Sequence, residues 1–127
     1  MTYAYCRVST KHQRIARQIT NITELYPSAK IIKEFYTGTR QDRPNWTSLI
    51  NQIKTGDTII FDSVSRMSRN AAEGFKDYKM LYESGVNLIF LNEPLINTLY
   101  LTQPGTIFSI SILKPVMLQS IHSSKAI

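Results

Sequence analysis

The spacing of apolar positions changes from strand-like to helix-like and back several times along the chain. Tyr3 to Val8 alternate, with Ala4, Cys6 and Val8 on one side and Tyr3 and Tyr5 on the other, which predicts a first strand. After the polar Ser9 and Thr10, Ile15, Ile19 and Ile22 recur at i, i+4 and i+7 and predict one face of a helix running to about Leu25, ended by Pro27. Lys30–Tyr36 predicts a second strand, which enters the polar loop TGTRQDR with Gly38. Pro44 suits the first turn of a helix whose stripe is Trp46, Leu49, Ile50 and Ile53, with Gly56 as its stop. Thr58–Asp62 predicts a short buried strand and Ser63 to Asn70 a polar, basic connection. Ala71, Phe75, Tyr78 and Tyr82 then mark a third helix closed by Gly85, and Val86–Leu91 a fourth strand.

Strands alternating with helices predict an α/β domain with a central, largely parallel sheet of four to five strands flanked by helices, because crossover helices join parallel neighbours. A chain of 127 residues suits one domain, and 43% apolar with 19% charged residues is a globular composition. No apolar run approaches the roughly 18 residues of a membrane span, and the N-terminus lacks the apolar stretch of a secretory signal, so the chain reads as cytoplasmic without a membrane partner. The single cysteine, Cys6, provides neither a disulfide framework nor a metal-binding pair and reads as a small buried residue. All nine acidic residues lie at or before Glu93, whereas Leu99–Ile127 carries only Lys114 and Lys125 as charges and has no sustained period. The chain therefore divides into a domain at 1–98 and an atypical tail at 99–127.

A net charge of +6 favours an anionic partner, since clustered Lys and Arg neutralise phosphates and release counterions. Position sharpens this. Arg7-Val8-Ser9-Thr10 follows the first strand and Ser65-Arg66-Met67-Ser68-Arg69 the third, and ligands of open α/β sheets bind outside the carboxyl ends of the strands. Arg7, Arg43, Arg66 and Arg69 together suit a phosphodiester, because a guanidinium fork holds two phosphate oxygens and keeps its charge. A Ser9 hydroxyl among such groups is a candidate nucleophile that needs no metal. The same residues have plainer readings: Ser9 or Thr10 as a helix N-cap, Arg66 and Arg69 as a solvated helix start, His12 as a surface histidine, and Tyr3, Tyr5 and Trp46 as core.

Tyr5-x-Arg7-Val8-Ser9-Thr10 with Gln13 and Gln18, the loop with Gly38 and Arg43-Pro44, Gly56-Asp57, and Ser65-Arg66-Met67-Ser68-Arg69-Asn70 resemble, in order, the motif blocks of serine recombinases of the resolvase/invertase family. The resemblance covers about residues 2–98. It implies a resolvase-like catalytic domain in which Ser9 attacks a phosphodiester of double-stranded DNA and forms a 5′-phosphoserine link. It also implies that Arg7, Arg66 and Arg69 bind the scissile phosphate, that Arg43 and Gln18 assist in substrate binding, and that no cofactor or metal takes part. Homodimers that pair into tetramers are the implied assembly.

The chain departs from that family pattern twice. Ser65 stands where many members carry an acidic residue, and Asp62, three positions earlier, is expected to point elsewhere. The long charged helix that normally follows the fourth strand is not legible after Asn97-Thr98, nor is a helix-turn-helix or zinc-ribbon pattern before Ile127. The expectation for the tail is truncation or a shifted frame, and with it an alternative role: a folded remnant that binds DNA or pairs with an intact recombinase without catalysis.

Overall fold

The computed structural model describes residues 1–9, 13–36, 42–68, 70–101, 115 and 118–119. Its elements are β1 (Thr2–Ser9), α1 (Gln13–Leu25), β2 (Lys30–Tyr36), α2 (Pro44–Gln52), β3 (Thr58–Phe61), the single turn α3 (Val64–Met67), α4 (Ala71–Glu83), β4 (Asn87–Phe90), a 3-10 turn at Pro94–Ile96, and the short α5 (Thr98–Leu101). The strands form one parallel sheet in the order β2-β1-β3-β4, the α/β architecture that the alternating periods predict. No helix among the described residues is long and apolar enough to cross a membrane.

The alternation along β1 is two-sided burial rather than an inside and an outside. Tyr3 and Tyr5 enter a core with Trp46 and Leu49 of α2, Tyr78 and Leu81 of α4, and Phe61 and Phe90 of the sheet. Ala4 and Cys6 face the opposite way, into a smaller core with Ile15 and Ile22 of α1 and Ile60 of β3. A parallel sheet covered on both faces requires this pattern. Aromatic rings run through the larger core: Tyr5 meets Trp46 edge-on with centroids 4.9 Å apart, and Phe61 stacks on Phe90 at 5.0 Å. Tyr3, Tyr5 and Trp46 are core residues, as the plainer reading has it. Cys6 is fully buried, and desolvation pushes its thiol up to about 12.

Several boundaries differ from the pattern. Helix α2 ends at Gln52, with Ile53 already extended (φ −69°, ψ 146°), so Gly56 belongs to the following turn and is not the helix stop. The connection after β3 is not merely polar: it contains α3, because Val64 and Met67, three apart, both reach the larger core. Helix α4 buries Gly74, Tyr78 and Leu81 most deeply; of the predicted stripe Ala71, Phe75, Tyr78 and Tyr82, Tyr78 lies in the core and the other three pack against it partly buried, so the face is centred nearer Leu81 than the pattern has it. Strands β3 and β4 are each shorter than expected. Asn97 and Thr98 close the edge of β4: Phe90 N–H donates to Asn97 Oδ1 at 2.7 Å and Leu88 N–H to Thr98 Oγ1 at 2.9 Å. Most of the tail expected at 99–127 lies outside the described residues.

At the amino-terminal end of the sheet, the turns before β3 and β4 meet, with Gly56 N–H donating to the Gly85 carbonyl at 2.9 Å. Both glycines have positive φ, +92° and +79°. A Cβ on Gly56 would meet nothing within 4 Å, whereas one on Gly85 would lie 2.6 Å from Thr55 Cγ2, and Thr55 is held by its own bond to the Ser84 carbonyl. Gly56→Ala is therefore expected to lose only about 1–2 kcal/mol from backbone strain. Gly85→Ala should lose a further ~1–3 kcal/mol from the clash. Urea unfolding of the two variants checks the ranking, and equal losses would contradict it.

Candidate active site

β1 pairs with β2 from Tyr3 to Ser9 but with β3 only from Thr2 to Ala4. Its carboxyl half therefore needs another partner on the β3 side. Gln18 of α1 supplies one at Arg7: the Arg7 N–H donates to Gln18 Oε1 at 3.2 Å, and Gln18 Nε2 donates to the Arg7 carbonyl at 3.2 Å. One buried amide thus takes both bonds that a neighbouring strand would make. The strand order reverses direction between β1 and β3, so the ends of these strands form the switch point at which open α/β sheets bind ligands. Arg7 and the backbone of Ser9 stand there.

The turn α3, after β3, brings the arginines together. A helix of four residues cannot satisfy its own backbone, because the last four carbonyls of any α-helix lack intrahelical partners. The Ser68 N–H takes the Val64 carbonyl. Two of the other three are taken by side chains: Arg7 Nη2 donates to the Ser65 carbonyl at 2.6 Å, and Arg43 Nη1 donates to the Met67 carbonyl. Two candidate phosphate ligands thereby converge on the turn that carries a third, Arg66. Arg7 is 8% exposed and Arg66 half-buried. Arg43 also lies over the Trp46 ring, with Cζ 5.0 Å from its centroid, and pairs with Asp77 of α4.

The sequence reading leaves out three carboxylates that shape this site. Glu34 of β2, 3% exposed, accepts at Oε1 from the Tyr5 hydroxyl (3.0 Å) and the Trp46 N–H (2.9 Å), and at Oε2 from the Asn45 N–H (3.3 Å). It therefore caps α2 from a neighbouring strand, while Arg43, the residue at the cap position, makes no side-chain cap bond. Burial and the adjoining carboxylate push the Tyr5 hydroxyl far above its ordinary range. An acid inside the otherwise strand-like KIIKEFY was the available signal. Glu93, just beyond β4, accepts from the Val64 N–H at 2.8 Å and closes the amino end of α3. Desolvation raises its carboxyl, the Val64 N–H opposes this, and Asp62 adds to the rise. Asp77 is the third.

The Asp62 carboxylate accepts from Asn21 of α1 at 3.3 Å, while Ser65 and Ser63 share a hydroxyl contact of 2.9 Å. The expectations for the Ser9 side chain, Thr10, His12, Gly38 and Arg69 fall outside the described residues.

Residues 2–114 match the family described as Resolvase, N terminal domain. The transposon Tn917 resolvase of Enterococcus faecalis is 31% identical over 93 residues, covering 73% of this chain and 50% of the relative. The transposon Tn501 resolvase of Pseudomonas aeruginosa is 30% identical over 94 residues (74% and 48%), and the serine recombinase PinR of Escherichia coli 31% identical over 91 residues (68% and 46%). The chain spans about half the length of the curated relatives it matches. The crystal structure of a resolvase family site-specific recombinase from Streptococcus pneumoniae is similar in fold, with a TM-score of 0.63 at 21% identity, over 98% of this chain and 90% of that one.

The triple acceptor role of Glu34 has a measurable consequence. Glu34→Leu strands two buried donors, the Tyr5 hydroxyl and the Trp46 N–H, and each orphan costs about 1–3 kcal/mol. Glu34→Gln keeps an acceptor oxygen and should retain most of that stability. Urea denaturation of both variants decides it; a Leu variant as stable as the Gln variant would remove Glu34 from this role.

Proposed function

This chain belongs to the family of resolvase N-terminal domains, and from that premise we propose that it is the catalytic domain of a site-specific DNA recombinase with Ser9 as its nucleophile. The observation that carries the reading is the convergence of Arg7 and Arg43 on the single turn bearing Arg66, beside the carboxyl end of β1. Two guanidiniums on a turn that bears a third arginine suit a phosphodiester and the extra negative charge that develops on it in the transition state.

In this mechanism Ser9 Oγ loses its proton and attacks phosphorus. The bond from phosphorus to the 3′-oxygen breaks, the leaving oxygen takes up a proton as a 3′-hydroxyl, and the 5′-phosphate stays esterified to Ser9. Religation is the reverse, attack of a 3′-hydroxyl on the phosphoserine, so the high-energy bond is conserved in the protein–DNA link. Arg7, Arg66 and Arg69 hold the non-bridging oxygens and Arg43 supports them. Gln18 acts through the backbone of Arg7, consistent with both ends of its amide being engaged there. The substrate is double-stranded DNA, in keeping with the net charge of +6. Strand exchange places the domain at 1–98 in a dimer that pairs into a tetramer.

The test is a fusion of this chain to a DNA-binding domain, incubated with duplex carrying that domain's sites and run on a denaturing gel. A covalent protein–DNA adduct is expected, absent in Ser9→Ala and reduced roughly a hundredfold or more in rate by Arg66→Gln, the usual loss for one transition-state donor. An undiminished adduct in Ser9→Ala would take the nucleophile's role from Ser9. Binding without any adduct in the unsubstituted fusion would leave the non-catalytic, DNA-binding reading in its place.

A further inference from the structure

Arg43 is already occupied. Its Nη1 donates to the Met67 carbonyl, its Nη2 donates to Asp77 Oδ2 at 3.3 Å, and its Cζ sits 5.0 Å from the centroid of Trp46. Asp77 comes from α4, 34 residues along the chain, so the pair is a tertiary contact and not a pair of helix neighbours. The side chains of Arg43 and Asp77 are 17% and 23% exposed. That is open enough for a competing anion to approach and closed enough for water to screen the pair poorly. Burial raises the Asp77 carboxyl above the usual aspartate range, Arg43 is the largest influence pulling it back, Glu73 adds to the rise and Lys76 opposes it.

A carboxylate and a phosphodiester present the same feature to a guanidinium: a pair of oxygens sharing one negative charge. We propose that Asp77 occupies on Arg43 the position of a DNA phosphate, so that the phosphodiester backbone engages Arg43 only by displacing this carboxylate. The inference rests on the reading of Arg43 as a phosphate ligand and adds an intramolecular competitor to it. Its effect is to weaken contact with DNA backbone generally and to make full engagement of Arg43 conditional on a phosphate delivered at the right place.

The experiment titrates the chain against a fluorescent duplex of arbitrary sequence at several salt concentrations. It uses Asp77→Asn, Arg43→Gln, the double variant, and Glu83→Gln as a control that removes one exposed carboxylate from the same helix. Asp77→Asn is expected to bind about fivefold tighter than Glu83→Gln, with a salt slope steeper by up to about 0.9, the value for one additional phosphate contact. That advantage should vanish in the Arg43→Gln background, as a coupled pair requires. Equal gains from Asp77→Asn and Glu83→Gln, a gain that persists without Arg43, or weaker binding would each overturn the competition while leaving the DNA reading intact. No salt-dependent duplex binding by the unsubstituted chain would overturn both. A measurement free of any substitution runs in parallel: the carboxyl carbon of Asp77 is followed by NMR through a pH titration with and without saturating duplex. Displacement from Arg43 by a phosphate moves the midpoint upward, and an unchanged midpoint in bound protein overturns the proposal.

Discussion

A single helical turn cannot satisfy its own backbone, and the architecture at the carboxyl edge of the sheet follows from that constraint. Val64–Met67 is held in place from outside: Glu93 takes the Val64 N–H, Arg7 the Ser65 carbonyl and Arg43 the Met67 carbonyl. Val64 and Met67 anchor the turn in the apolar core below. The groups that satisfy it come from near the end of β1, the residue before α2 and the loop after β4, so one short segment ties together elements far apart in sequence. The same arginines have the chemistry to hold a phosphodiester, and the fold and the site therefore share parts.

Carboxylates set the second layer of order. Glu34 joins β1, β2 and the start of α2 through three donors and so places Arg43 at the lip of the sheet. Asp77 then takes up part of the charge that Arg43 presents. Buried carboxylates are costly unless hydrogen-bonded or paired, and each of these is. A basic site assembled in this way carries counter-charges inside the protein.

Much of the fold was legible in the chain. Lys30–Tyr36 is a strand with the bounds its pattern predicts, Ile15, Ile19 and Ile22 do line the α1 face toward a core, and Gly85 does end its helix. The errors fall where tertiary packing decides. Ile53 belongs to the apolar stripe by spacing, yet the helix has already ended, and α4 buries Gly74 and Leu81 more deeply than Ala71 and Tyr82 of the predicted stripe. A turn of four residues has too short a period to be seen amid polar neighbours, so α3 was hidden in a segment that reads as a connection.

The sequence by itself determined the alternation of strands and helices and offered Arg7, Arg43, Arg66 and Arg69 as a candidate set, because periodicity and residue chemistry are local properties. Only the tertiary structure decided that both faces of β1 are buried, that Arg7 and Arg43 reach the turn bearing Arg66, that Gln18 serves the backbone of Arg7, and that Glu34, Glu93 and Asp77 belong to the same neighbourhood. Hydrogen bonds between groups tens of residues apart leave no period in a sequence. Which carbonyl a guanidinium reaches is settled when the sheet orders its strands and brings their carboxyl ends side by side.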